Sequence, residues 1–346
     1  MKTARKRFKK RWIILVAMLM FLHFYELPLY YSQPGGALAL DDIITVEDGH
    51  KEKGSFMLTT VQMGRANIPI YVWAKFSPYR SLFPIEQLRY EGETDEEYHH
   101  RQLMAMKGSQ EAAKIVAYEQ AGKKVDYEYK GVLVTTLIEG MPAKEVLQPG
   151  DHIVKIEGDL VETADQLIER LKGKTANDKV VLTINRDGEV MTFKIGFSSF
   201  PESVKAPADM VGIGLSAPVT DRDLVLDPAV EIDSSQIGGP SAGLMFSLEI
   251  YNQLVPEDLT KGYEIAGTGT IKDDGLVGRI GGAGQKVIAA NKAGAEYFLA
   301  PHEEGALDSN YLEALAVAEE IDTEMKIIPV DTFEDAIAFL ESLPEK

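Results

Sequence analysis

Gly238-Gly239-Pro240-Ser241-Ala242-Gly243, followed directly by the apolar run LMFSLEI (residues 244–250), sets one serine among glycines at the mouth of a helix. Helical periodicity carries on to Leu254. A serine hydroxyl is a weak nucleophile and needs a base. The first turn of a helix leaves backbone N–H groups unpaired, ready to hold an oxyanion. Two chemistries fit. The Gly239-x-Ser241-x-Gly243 form satisfies the nucleophile elbow of Ser-Asp-His hydrolases. His302, the single histidine downstream, with Asp273 or Asp308 would then complete a triad. The other candidate base is a lysine. Lys286 lies between glycines and the apolar VIAA of residues 287–290. A lysine with an ordinary pKa of about 10.4 is protonated near neutrality. Burial disfavours the ammonium, so a lysine in an apolar pocket can act as a base.

Outward from the serine, strands alternate with helices. EIAGTGTI reads as a strand, VIAANKAGA as a helix, EYFLAP as a strand, LEALAVAEEI as a helix, MKIIPV as a strand and FEDAIAFLESL as a closing helix. That alternation indicates α/β layers. Upstream, VGIGLSAPV and DLVLDPAVEID open this last part, and a boundary is expected over residues 198–207. Before it, residues 125–197 change to short strands. YKGVLVTTLI, PGDHIVKIEGDLV, the capped helix ADQLIERLKG and a hairpin around Asp187-Gly188 form a small module. Earlier still, residues 54–61 and 68–76 (IPIYVWAKF) read as strands. Residues 101–121 read as a helix stopped by Gly122.

The 346-residue chain has no cysteine, which excludes disulfides, thiolate metal sites and a cysteine nucleophile. Its net charge is −18. Residues 1–11 hold seven of the 36 Lys/Arg and no acid, leaving 29 basic against 54 acidic residues elsewhere, about −25. A body so acidic repels phosphates, so no nucleic-acid partner is expected. Residues 12–31 (WIILVAMLMFLHFYELPLYY) are about 20 in number, long enough at about 1.5 Å each to cross a ~30 Å hydrocarbon core. The expectation is a single-pass anchor with its basic tail cytoplasmic and the body outside the cell membrane. A cleaved signal peptide ending near Ala37-Leu38-Ala39 is the alternative. A turn-rich linker would follow over 32–49. His99-His100 lack a visible third ligand, so no metal and no other cofactor is expected.

The middle module resembles a PDZ domain. YKGVLV (129–134) is similar to that family's carboxylate-binding loop and strand. Pro142-Ala143, LQPGDHI (147–153) and Ile156-Glu157-Gly158 are similar to its core pattern. The resemblance implies a peptide added at a strand edge along Gly131, Val132, Leu133 and Val134. GGPSAG, Thr268-Gly269-Thr270-Ile271, Gly275, Ile280-Gly281-Gly282, Lys286, Ala293-Gly294-Ala295 and FLAP (298–301) together resemble a Lon-type serine protease domain. MKGSQEAA (106–113) resembles the helix before its active-site strands. That resemblance covers 50–122 and 205–343, a discontinuous α/β (α+β) domain interrupted by the PDZ insert over 123–200. It implies a Ser241–Lys286 dyad, Thr268 beside it, and Gly239 among the oxyanion donors. No G-x-x-x-x-G-K-[ST] occurs. The expected activity is therefore ATP-independent endoproteolysis of unstructured secreted or membrane-associated peptides, recruited by the PDZ groove, with monomer and ring both open. A silent extracellular PDZ scaffold is the alternative function.

Overall fold

Residues 2–89, 93–201, 204, 206–207, 210–216, 218–233 and 237–346 are described in a computed structural model, the side chains of 2–11 excepted. From the N-terminus run α1 (Lys2–Phe24), β1 (Glu26–Ala39), β2 (Ser55–Asn67), α2 (Ile68–Lys75), β3 (Ser81–Pro84) and α3 (Asp95–Gln120). An insert follows with β4 (Asp126–Leu133), β5 (His152–Ile156), α4 (Ala164–Leu171), β6 (Lys179–Arg186), β7 (Glu189–Gly196) and β8 (Val219–Val225). The chain resumes with α5 (Gly243–Leu254), β9 (Glu264–Gly267), α6 (Ala283–Ala293) and β10 (Tyr297–Pro301). It closes with α7 (Asn310–Glu320), β11 (Lys326–Val330) and α8 (Phe333–Ser342). Two compact units result, residues 1–124 with 227–346, and 125–226.

The first unit is built on a mixed sheet in the order β11-β10-β9-β2-β1-β3. β2, β9, β10 and β11 are parallel, and β1 runs antiparallel to both β2 and β3. β10 is buried along its whole length, the continuous apolar pattern of a parallel strand covered on both faces. α6 and α7 pack on it through Val287, Ala290, Ala314 and Ala318. At Gly284 an added Cβ would meet Val317 Cγ2 at 2.6 Å, so only glycine lets these two helices approach so closely. α3 begins at a capping box between Thr94 and Glu97 and buries Met106, Ala112, Ala113, Ile115 and Val116, the stripe its spacing predicts.

The second unit has an antiparallel sheet, β7-β6-β5-β4-β8, over a core of Val132, Ile153, Leu167, Leu182 and Ile184. The hairpin between β6 and β7 turns at Asp187 and Gly188, both with positive φ, as a two-residue primed turn requires.

Four sequence expectations are corrected. The apolar segment 12–31 does not form one helix. α1 ends at Phe24, and residues 26–31 belong to β1. Tyr30 is the reason: it is buried, its hydroxyl donates to Asp95 Oδ1 at 2.8 Å, and Arg65 and Arg89 flank its ring. What stays helical from Trp12 spans about 20 Å at 1.5 Å per residue. Among the described residues, no helix is long and apolar enough to cross a membrane. The expected linker 32–49 is folded. It continues β1 to Ala39 and then pairs Ile44–Val46 with Val230–Ile232.

Residues 68–75 are helical rather than extended. Asn67 caps Ile70 N–H at 2.9 Å and Pro69 stands in the first turn, helix-start signals that override a β-branched run. Finally, the insert runs to Leu226 and not to 200, because β8 pairs with β4 along Val219–Val225. Part of the boundary expected over 198–207, including residue 205, lies outside the described residues.

Candidate active site

Ser241 sits in the turn that leads into α5. Gly239 adopts φ +87°, a left-handed conformation that favours glycine, and donates its N–H to Gln102 O at 2.9 Å. Ser109 Oγ donates to Pro240 O at 2.9 Å. A Cβ on Gly243 would lie 2.6 Å from Ser109 Oγ and 2.9 Å from the Ile271 backbone nitrogen, so the helix start presses directly on the neighbouring strand. Ser241 O receives two hydrogen bonds, from Gly269 N–H and from Thr268 Oγ1, each 3.0 Å. The serine turn is thereby clamped to the segment after β9.

Lys286 comes from the first turns of α6 and is 2% exposed. Its Nζ lies 2.8 Å from Ser241 Oγ, 2.9 Å from Thr268 Oγ1 and 2.9 Å from Thr59 O on β2. Burial alone lowers its pKa to about 7. No ion pair to Lys286 exists among the described residues. The proton inventory of this cluster is informative. Thr59 O only accepts, and the Thr268 hydroxyl hydrogen is committed to Ser241 O, so Thr268 Oγ1 must accept from the amine. A neutral amine has two hydrogens and one lone pair. In the neutral amine both hydrogens would be so used, leaving the lone pair on the side of Ser241 Oγ, 2.8 Å away.

The structure thus brings Ser241, Lys286 and Thr268 together. Gly239 stands in the same turn, but its N–H is already given to Gln102, which takes it out of the oxyanion role expected of it. The N–H groups of Ser241 and Ala242 have no acceptor among the described residues. Sequence reading missed the Thr59 carbonyl, since a backbone acceptor leaves no mark on residue identity. The histidine alternative does not assemble. His302 faces Asp331 (3.5 Å) and the edge of Tyr311, Asp308 pairs with Arg279, and neither contacts Ser241.

In the second unit, Gly131, Val132, Leu133 and Val134 are not on an open edge. β8 occupies one side of β4 and β5 the other, with Val134 N–H bonded to Asp151 O at 2.8 Å. Val132 and Val134 are fully buried. Gly131 is needed because its Cβ would strike Ile153 O at 2.6 Å, a packing role. The concave surface of this unit lies elsewhere. An apolar groove of about 520 Å³ runs between α4 (Leu167, Ile168, Leu171) and the segment Ile213, Gly214 and Leu215. The Ile213 and Gly214 N–H groups have no acceptor among the described residues, and Lys174 stands on the groove wall. The alternating glycines of VGIGL were the available sequence signal.

Two segments of the chain match known domain families, one in each compact unit for most of its length. Residues 230–341 match the family model of the Lon protease (S16) C-terminal proteolytic domain, and residues 117–196 match that of the PDZ domain. Among curated proteins, the Lon protease of Campylobacter concisus is 39% identical over 100 residues, 29% of this chain and 11% of that one. The Lon protease of Campylobacter jejuni is 33% identical over 131 residues, 34% of this chain and 16% of that one. The matched segments therefore span a small part of these relatives' length. Among solved structures, the PDZ domain of an SdrC-like protein from Listeria monocytogenes aligns at 24% identity and a TM-score of 0.23, covering 26% of this chain and 88% of that one. A Geobacillus thermodenitrificans structure aligns at 30% identity and a TM-score of 0.22, covering 25% and 95%. The chain thus carries one segment similar to a Lon-type proteolytic domain and one similar to a PDZ domain.

Proposed function

We propose that this protein is a serine endopeptidase in which Ser241 is the nucleophile and Lys286 the general base. The observation that carries the reading is the 2.8 Å contact between Ser241 Oγ and a lysine amine whose pKa burial has lowered to about 7. Lys286 Nζ takes the hydroxyl proton as Ser241 Oγ bonds to the scissile carbonyl carbon. The Ser241 and Ala242 amides are the donors available to the resulting oxyanion. The lysine ammonium then gives that proton to the leaving amine, and the carbon–nitrogen bond breaks. A water deprotonated by the same amine releases the acyl group from Ser241 Oγ, restoring the starting state. Thr268 and Thr59 hold the amine on its line of attack.

The substrates in this reading are unstructured peptides, since the residues of this chain include no P-loop to drive unfolding by ATP. The groove beside α4 captures an extended peptide with apolar side chains. Its unpaired Ile213 and Gly214 amides and Lys174 suit a terminal carboxylate. The basic residues 1–11 and the apolar residues after them tether the protein to a membrane surface, cations to anionic headgroups and apolar side chains to the acyl boundary. The test incubates the full chain with unstructured peptides beside Ser241→Ala, Lys286→Ala and His302→Ala. Loss of cleavage in the first two and retention in the third is expected. A requirement for His302 with Lys286 dispensable would overturn the assignment.

A further inference from the structure

α2 is the least buried apolar helix of the first unit outside α1. Of its residues only Ala74 is buried, while Val72 is 50% and Trp73 54% exposed; Phe76, just beyond its end, is 86% exposed. A soluble protein rarely leaves so many large apolar side chains together in water. The same stretch is electrically unlike the rest of the chain. Residues 65–85 contain Arg65, Lys75 and Arg80 and no acidic residue, in a chain of 54 Asp and Glu. Two of these cations lie over the aromatic rings of α2 itself. The Arg80 guanidinium is 3.3 Å from the Trp73 ring centroid, and Lys75 Nζ is 5.6 Å from that of Tyr71. Aromatic rings with cations folded back over them are the furniture of a membrane interface, where rings sit at headgroup depth and long cations reach the phosphates.

The position of α2 points to the same partner. The Asn67 side chain that caps α2 donates from Nδ2 to His23 O at 2.8 Å, tying the start of α2 to the last turn of α1. α1 itself exposes Trp12, Ile13, Ile14, Leu19, Met20 and Phe21. The two exposed apolar surfaces meet where α1 leaves the unit.

We infer that Tyr71, Val72, Trp73 and Phe76 bed into the headgroup region of an anionic bilayer beside α1, holding the peptidase unit against the membrane at two points. An interfacial helix of this kind binds through its apolar face and its cations together. The inference rests on the reading of α1 as the membrane tether, and the test separates the two. Trp12 and Trp73 are the chain's two tryptophans, so each can be read alone. Full-length Trp12→Phe reports on α2, and full-length Trp73→Phe reports on α1. Each is placed in phosphatidylcholine–phosphatidylglycerol vesicles with and without lipids brominated near the glycerol end of their chains. Retained peptide cleavage certifies that both variants are folded.

The expected result is a loss of Trp73 emission on bromination, since an interfacial helix seats its apolar face about 5–10 Å into the headgroup and acyl boundary, where the brominated carbons lie. Adding Val72→Ser and Phe76→Ser should abolish most of that loss. Quenching of Trp12 with Trp73 unaffected would overturn the inference and leave the tether standing. Quenching of neither would overturn both. A Trp73 emission shift that follows protein concentration and ignores lipid would assign the face to a second copy of the chain, and the inference would fall.

Discussion

Lys286 and the pair Glu52–Glu249 are both ionisable groups withdrawn from water within the same unit, yet their surroundings treat them oppositely. Lys286 is lowered to about 7 by burial, and each of its three bonding directions meets a partner. The carboxyls are raised, Glu52 to about 9 by burial first and then by Glu249, Asp41 and Asp258, and Glu249 to about 7 by burial first and then by Asp41. Glu52 accepts from Asn252 Nδ2 at 2.6 Å and Glu249 from Gln253 Nε2 at 2.5 Å. The remaining buried oxygens, Glu52 Oε1 and Glu249 Oε2, have no partner among the described residues. A proton on Glu52, the more strongly raised of the two, would let it donate to the Glu249 side chain, the state expected of like charges that cannot both ionise. Burial alone therefore does not make a site. What distinguishes the amine is that its three partners, Thr59 O, Thr268 Oγ1 and Ser241 Oγ, fix its direction toward a serine hydroxyl.

The largest effect that would sharpen this contrast is loss of turnover. Ser241→Ala and Lys286→Ala should each lower kcat by on the order of 10⁴-fold or more, with folding unchanged by circular dichroism. A residual rate close to wild type in either would break the comparison at its centre. Next in size, Thr268→Val removes one of the amine's three partners and the hydroxyl bond to Ser241 O. The expected cost is roughly 10- to 100-fold in kcat with little change in KM, because it acts through the orientation of Lys286.

The pH profile separates the two sites by sign. As general base, Lys286 must be neutral, so kcat/KM should fall about tenfold per unit as pH drops below about 7. For stability, a lysine lowered in the folded state binds fewer protons there than when unfolded, so its destabilising contribution is fully present below about 7. It is relieved as pH rises toward its ordinary value. The carboxyls run the other way. Folded, they hold a proton that the unfolded chain has lost, so stability falls as pH rises from the ordinary carboxylate range toward about 9. Glu52→Gln keeps a donor at that position at every pH. It should flatten the alkaline fall in Tm, recovering about 2 kcal/mol at pH 9 after allowance for partial exposure of the site. An unchanged alkaline slope, or a Tm raised by calcium in wild type but not in Glu52→Gln, would remove the proton on Glu52.

The smallest effect concerns the insert. Leu171→Asp in the groove should weaken binding of a peptide with an apolar C-terminus by about tenfold in calorimetry, since it places a charge on an apolar wall. Val132→Ala should instead lower the Tm of the domain by a few degrees through a buried cavity.

How much of this was legible beforehand differs by region. α3, α4, the Asp187-Gly188 hairpin and the alternating strands and helices after Ser241 carry strong local signals and are all present, but α3 opens earlier, at Asp95 after the Thr94 cap, α6 opens at Ala283, and the strand from Glu264 breaks after Gly267. Residues 26–31 and 68–75 do not. Their apolar and β-branched runs are ambiguous between strand, core helix and membrane helix. Tyr30 with its Arg and Asp partners decided the first, and Asn67 and Pro69 the second. β8 was misassigned because a strand does not record which sheet edge it will join.

By itself the sequence determined which groups could do chemistry: one serine at a glycine-framed helix start, one lysine in an apolar helix, no thiol, and an acidic body behind a basic tail. Only the tertiary structure decided that Thr59 O, Thr268 and Ser241 would surround the amine, and that Gly239 N–H was spent on Gln102. It alone showed that the strand at Gly131 was closed on both edges. The reason is physical. Residue identity sets what a group can donate, accept or lose, whereas direction and burial arise from contacts between distant segments, as between Thr59 and Lys286, 227 residues apart.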